Sequence, residues 1–147
     1  MVVWRSFKKT AGKYIWLQPV PETTPVKTLG ATSPNVGLFV KAILTQPQLT
    51  LPGKFVLADV ETTTMGGILR TWSKATGKES QYIQVGLDDV DRLWPAWGRE
   101  MGTMVRMWDE LQDRSWTGEE VITKEELRVE GLVGLEESFK QMDWSFV

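Results

Sequence analysis

The sequence predicts an α/β chain of α+β arrangement, with a small mixed sheet of about three strands and a second half that is almost wholly helical. Three observations carry this. Stretches rich in β-branched and aromatic residues, KYIWLQ at 13–18, GKFVLADV at 53–60 and SQYIQV at 80–85, alternate with stretches of helical periodicity. Strand signals stop after residue 85. Residues 94–111, WPAWGREMGTMVRMWDEL, then place Trp94, Trp97, Met101, Met104, Trp108 and Leu111 at steps of three and four, the spacing that returns to one helix face. At 147 residues the chain has the length of a single domain, and we read 1–147 as one.

Residues 13–18 form the first strand, and the Pro, Thr and Gly residues of 19–32 a long loop. Ser33-Pro34 opens a helix, since proline's missing N–H costs nothing in a first turn. Its apolar face is Val36, Phe39, Val40, Ile43 and Leu44, with Pro47 just beyond its end. Residues 53–60 follow a Pro-Gly turn and are expected to form a buried strand. Thr64 caps the next helix, which runs through Lys74 with Met65, Ile68, Leu69 and Trp72 on its apolar face and stops at Gly77. Gly66 and Gly67 inside it each cost about 1 kcal/mol relative to alanine, so they mark close packing or the approach of backbone to a ligand. The strand 80–85 carries Tyr82 at its middle, and a short helix at 87–93 leads into the tryptophan helix, which starts at Pro95. A polar loop around Trp116 follows Asp113. Thr123 and Glu126 have capping-box spacing for a short helix, Gly131 and Gly134 bracket a turn, and 135–142 form a last helix ending near Trp144.

Net charge is −2, from 17 basic and 19 acidic residues with both signs interspersed, which leaves no electrostatic footprint for nucleic acid or an anionic membrane. The nearest to one, four cations between Arg5 and Lys13, reads as a solvated loop. Cysteine and histidine are both absent. That excludes disulfides, thiol nucleophiles and zinc-thiolate sites, and removes the commonest general base and metal ligand. No metal is expected, and acid–base chemistry falls to carboxylates, Tyr14, Tyr82 or a lysine. MVVWRSFKK lacks a long apolar signal-like run, and no run has the length of a membrane span, so a cytoplasmic chain is expected.

Familiar nucleotide chemistry has no visible seat. Gly30, Gly37, Gly66, Gly67 and Gly77 have no G-x-G-x-x-G spacing, and the position four after Tyr14 is Gln18, after Tyr82 Gly86, so no Tyr-x-x-x-Lys pair exists. No cofactor is expected. The tryptophan helix reads first as core packing. Its alternation of rigid aromatics with adaptable methionines also suits a ligand wall, in which Trp97, Met101, Met104 and Trp108, joined by Trp16 and Trp72, would bind substrate. Glu100 flanks that stripe, where aromatic neighbours would desolvate its carboxylate and make it a general acid. Asp59 and Glu61, at the end of a strand, and Tyr82 are the other catalytic candidates, each also explicable as a cap, a turn residue or packing.

The stretches GKYIWLQPVP, SPNVGLFVKAIL, GKFVLADVETTT, LRTWSKATGK, LDDVDRLWPAWGREMGTMVRMWDE and GLEESFKQMDW resemble, in this order, the C-terminal half of fungal NmrA-like proteins, atypical relatives of the short-chain dehydrogenases. The likeness covers roughly residues 4–144, and TWSKATGK and LWPAWG are its most telling pieces. One departure is Asn35, where the family pattern favours aspartate. In that family the N-terminal half carries the Rossmann sheet, while the C-terminal half builds the substrate or partner side of a cleft. The resemblance implies a truncated fold, with the surface that packs on the Rossmann half covered by dimerisation.

Two classes of function follow. One is a cofactor-independent isomerase or cyclase acting on an apolar polycyclic or prenylated intermediate of fungal secondary metabolism, as a homodimer. The other is a non-catalytic interaction module, or a pseudoenzyme subunit whose partner supplies the missing lobe. A nicotinamide-dependent reductase ranks third, for want of a dinucleotide-binding turn.

Overall fold

The computed structural model describes residues 7–112, 114 and 120–145, with 7–9 described by backbone alone. The loop around Trp116, and part of the Arg5–Lys13 run, lie outside the described residues. Strand β1 (Phe7–Thr10) and strand β2 (Lys13–Gln18) form a hairpin, with Phe7 opposite Trp16. Its two-residue turn puts Ala11 at φ 51° and Gly12 at φ 80°, the positive values that match the twist of the flanking strands. In β2 the alternate residues Tyr14, Trp16 and Gln18 are buried.

A second ribbon pairs β3 (Pro25–Thr28) with β5 (Glu61–Thr64), antiparallel, with Thr28 opposite Glu61. Neither strand follows from the sequence pattern. Residues 25–28 fall within the expected loop, and the polar ETTT run carries no apolar alternation. The expected buried strand at 53–60 is another correction. Only β4 (Phe55–Val56) forms there, pairing in parallel with β7 (Val121–Ile122), and Phe55 is exposed. A short continuous apolar run does not reveal whether anything covers it.

Helix α1 (Thr32–Thr45) and the single turn α2 (Pro47–Thr50) connect these strands. The buried residues of α1 are Asn35 and Phe39, whereas Val36, Val40 and Leu44, expected on its buried face, are 43%, 47% and 74% exposed. Helix α3 (Met65–Thr76) forms as its sequence dictates. Thr64 accepts the Gly67 N–H at 3.0 Å, Met65, Leu69 and Trp72 are buried, and Gly77 closes the helix at φ 68°. Strand β6 (Ser80–Gln84) then runs parallel to β2 and completes a mixed sheet of order β1-β2-β6. The sheet has the expected three strands, but β1 stands in place of 53–60.

Helix α4 (Leu87–Leu93) and helix α5 (Trp97–Leu111) fold back on each other. Pro95 lies in the turn before α5 rather than inside it, because Ala96, at φ 66°, reverses the chain and donates its N–H to Asp91 Oδ1 at 3.2 Å. Gly98 allows the two helices to touch: a Cβ there would stand 2.8 Å from the Val90 carbonyl carbon. The capping box at Thr123 closes, with the Thr123 N–H donating to Glu126 Oε2 at 2.7 Å, but no helix follows; residues 124–128 form turns that end at Arg128, φ 50°. Helix α6 (Leu135–Gln141) packs on α3. No described helix is long and apolar enough to cross a membrane.

Asn35, with 0% exposure, fastens α1 to the segment before α6. Its Nδ2 donates to Leu29 O at 2.7 Å and Val133 O at 2.8 Å, and its Oδ1 accepts from Val133 N at 2.9 Å. Two carbonyls facing the same atom require that atom to be the amide nitrogen. Asn35→Asp would therefore set an acceptor against two acceptors. We expect a loss of about 3 kcal/mol at neutral pH, roughly 6–12 °C in Tm. Since the folded state would raise the pKa of such an aspartate, its penalty is present above that raised value and relieved below it. The Tm gap between N35D and wild type should therefore be wider at pH 7 than at about pH 4. An equal gap at both would contradict this account.

Candidate functional site

Strand alternation sends Val26 and Thr28 of β3 to one side of the ribbon and Lys27 to the other. The Lys27 ammonium is held on that other side by Asp59, at 3.7 Å, and by Thr62 Oγ1, at 3.5 Å. On the Val26–Thr28 side a cleft of about 620 Å³ opens between β3, the start of α1, α3 and α6. Its apolar walls are Val26, Ile68, Leu135, Phe139 and Met142, and its polar groups come from Thr28, Thr32, Ser33, Ser138 and Gln141. Lys27 is the one titratable residue among the lining residues.

Local chemistry keeps the walls in place. Gly30 turns the chain at φ 59°, and a Cβ there would collide with the Val133 carbonyl oxygen. Leu135 and Phe139, four apart on α6, share one face. The Leu135 N–H donates to Glu61 Oε1 at 2.5 Å, so a β5 carboxylate satisfies the otherwise uncapped start of α6. Glu136 is gripped by Lys74 of α3 at 2.7 Å and by Lys140 at 2.8 Å. Hydrogen bonds from Lys140 and then Lys74 pull its carboxyl down to about 2. Thr28 Oγ1 is buried and has no hydrogen-bond partner among the described residues.

The residues singled out by sequence lie elsewhere. Trp16 and Trp72 are core residues with 0% exposure. Met104 and Trp108 pack against that core. Trp97 and Met101 face a gap of about 20 Å³, room for about one water molecule, beside Pro19 and Val90. The buried residues of α5 are Gly98, Gly102 and Val105, so its contact face is built of small residues beside the large ones.

Glu100 is exposed to solvent rather than sheltered by the stripe. Asp59 lies between Lys27 and Lys124, the latter at 3.9 Å. Tyr82 donates its hydroxyl to Val20 O at 2.8 Å. Burial first, then the charges of Glu22 and Asp109, push its phenol well above the ordinary value, so it is held as a neutral donor. It lines a second groove, of about 600 Å³, with Glu22, Arg70 and Gln84. Gly66 at the edge of that groove is explained by packing, since a Cβ would lie 2.8 Å from Glu22 Cβ.

None of the ten sequence candidates lines the 620 Å³ cleft. Glu61 comes nearest, through Leu135. The residues that sequence reasoning missed, Thr28, Ser33 and Ser138, are small hydroxyl side chains with no motif around them, and no signal in one sequence would have found them.

Tyr82→Phe should remove the hydroxyl that donates to the Val20 carbonyl, costing about 1–2 kcal/mol and lowering Tm by roughly 2–8 °C, without altering any binding to the cleft. Loss of binding in a folded Y82F protein would reassign Tyr82 to function. For Glu136 the folded carboxyl titrates below its ordinary value, so its contribution is present above about pH 4.5 and lost as pH falls to about 2. The Tm difference between wild type and E136Q should accordingly shrink to nothing over that interval. A difference that persists at pH 2 would show that Glu136 acts otherwise.

The model of the NmrA-like family matches residues 2–139. No curated protein matches the chain.

Proposed function

The chain belongs to the NmrA-like family, and we propose that it holds an apolar small molecule in the cleft between β3–α1 and α3–α6 and rearranges it without a cofactor, as an isomerase or cyclase. The observation that carries this is the make-up of the cleft. About 620 Å³ is a ligand-sized volume, walled by Ile68, Phe139 and Met142 and provided with a few separate hydroxyls. Such walls select a polycyclic or prenylated shape. Isomerisation and cyclisation redistribute bonds within one substrate, so holding a single reactive conformer supplies much of the rate. Where a proton must move, Glu61 is the carboxylate at hand. It lies opposite Thr28 across the ribbon and touches Leu135, a lining residue.

Ser138→Phe tests this directly, because it fills the cleft from α6 without removing a core side chain. Against a panel of apolar polycyclic and prenylated compounds, with NADPH as a separate arm, ligand-observed NMR should detect binders that S138F loses by at least about tenfold. Binding that survives S138F, or a protein that takes up NADPH alone, would defeat the proposal.

A second reading, an interaction surface that includes a homodimer, is favoured by the exposed stripe Val36, Val40 and Leu44 on α1. Val40→Glu should then convert an assembled species to monomer in sedimentation velocity, with the far-UV circular dichroism of the folded chain unchanged. An oligomeric state indifferent to V40E would remove that support.

A further inference from the structure

We propose that the outer edge of β6 joins two copies of this chain, with β6 pairing antiparallel to β6 of the second copy across a two-fold axis at Tyr82. The proposal rests on the reading of the chain as a homodimer and gives that dimer a seat other than the α1 stripe. Among the described residues β6 ends the sheet of order β1-β2-β6. Its inner side is fixed by its ladder to β2, where the Tyr14 N–H donates to Glu79 O at 2.8 Å and the Val85 N–H to Gln18 O at 2.9 Å. Alternate residues turn their backbone groups to the same neighbour, so Glu79, Gln81, Ile83 and Val85 serve β2 while Ser80, Tyr82 and Gln84 turn theirs outward. Among the described residues nothing pairs with those outward N–H and C=O groups.

Native sheets defend such edges with lysine, proline or a bulge. The far edge of this sheet has that defence, because β1 reads FKKT. β6 reads SQYIQ, five residues in unbroken register with β2, without charge or proline. There is also room for another strand. The groove of about 600 Å³ lies beside Ser80, Tyr82 and Gln84, with Gly66 and Leu69 of α3 on its other side. The two charged residues that line it, Glu22 and Arg70, pair with each other at 3.3 Å, so an incoming strand meets no unpaired charge.

The occupant that fits is a second β6. A two-fold contact presents one surface to itself, so that surface must be its own complement. In pairing centred on Tyr82, Ser80 faces Gln84 of the second copy, Tyr82 faces its own counterpart and Gln84 faces Ser80. These are the outward residues, and each such pair exchanges both its bonds, giving about six backbone hydrogen bonds. Beyond them Glu79 faces Val85, so no like charges stand opposite each other. Directly opposed residues share one face of the sheet, which makes the two Tyr82 rings a cross-strand aromatic pair. An acidic or basic strand would find no charge in the groove free to meet it.

Sedimentation velocity of the full chain at micromolar concentration, with far-UV circular dichroism as the check on folding, tests this contact. Wild type should sediment as a dimer. Gln84→Pro deletes an N–H that bonds nothing within the chain, so the folded spectrum should persist while dimerisation weakens by at least about tenfold. S80K/Q84K sets lysine against lysine at both ends of the contact and should be monomeric, as should S80E/Q84E, whereas the two mixed should restore a dimer. The charged pair carries the test if Q84P is poorly folded. V40E should remain a dimer. A dimer that persists in Q84P and in S80K/Q84K, or a mixture that stays monomeric, would overturn the proposal. Loss of the dimer in V40E alone would overturn it too, and would leave the homodimer seated on α1. If wild type is a monomer, both the homodimer and this seat fail.

Discussion

Everything described here depends on where Trp72 sits. Its ring is fully buried in α3 and meets Tyr14 of β2 edge-on at 5.3 Å and Trp144 at 5.8 Å. Trp144 in turn meets Phe139 of α6 at 5.6 Å and donates its indole N–H to Phe139 O at 2.8 Å. The circuit closes through Lys78, whose ammonium donates to Trp144 O at 3.1 Å and lies 5.0 Å above the Tyr14 ring. Each edge-to-face pair adds about 0.5–1.5 kcal/mol beyond the area it buries. Sheet, central helix and C-terminal segment are thereby fixed to one another by side chains whose geometry tolerates little sliding. That circuit seats α6 on α3 and so supplies the fourth wall of the cleft.

Helix α6 is consequently a shared element. Leu135 and Phe139 belong to the buried core and also line the cleft. Core packing on one side does not by itself keep a cleft open on the other, because α6 could settle toward α1 and close it. Polar ties hold it back. Glu61 takes the first N–H of α6, Lys74 holds Glu136, and Asn35 pins the Val133 backbone just before the helix begins. These ties specify distance, because each is directional.

Local signals were legible and assembly was not. The Thr64 cap, the Gly77 stop, strands β2 and β6, and the length of α5 all follow from short-range patterns in which the chemistry is contained within one or two turns. The ribbon β3–β5 escaped because PVKT and ETTT owe their conformation to each other across 35 residues, not to apolar alternation. In α1 the periodicity correctly grouped Val36, Val40 and Leu44 but said nothing about what covers them. The tryptophan stripe illustrates the same limit from the opposite side. Of its residues Met104 and Trp108 meet the core and Trp97 and Met101 a one-water gap, while Leu111 is exposed; the cleft is made by modest side chains brought together through Asn35 and Val133, 98 positions apart. Composition read correctly that histidine and thiol chemistry have no place here; it could not point to Thr28.

The double use of α6 also decides where the shape of the cleft can change. Enlarging the cleft at Leu135, Phe139 or Val26 would empty part of the core at the same time, and such truncations cost about 2–5 kcal/mol, a large share of a small domain's stability. Thr32, Ser33, Ser138 and Gln141 line the cleft without belonging to the core cluster. Substitution there alters the lining of the cleft while the Trp72 circuit stays intact. Thr28 stands between the two groups. Its backbone carbonyl accepts the Val60 N–H at 2.7 Å and its strand position is fixed by β5, but its hydroxyl supports nothing in the fold. Its place is thus set by its backbone, and exchange of its side chain leaves the hydrogen bonds of the ribbon untouched.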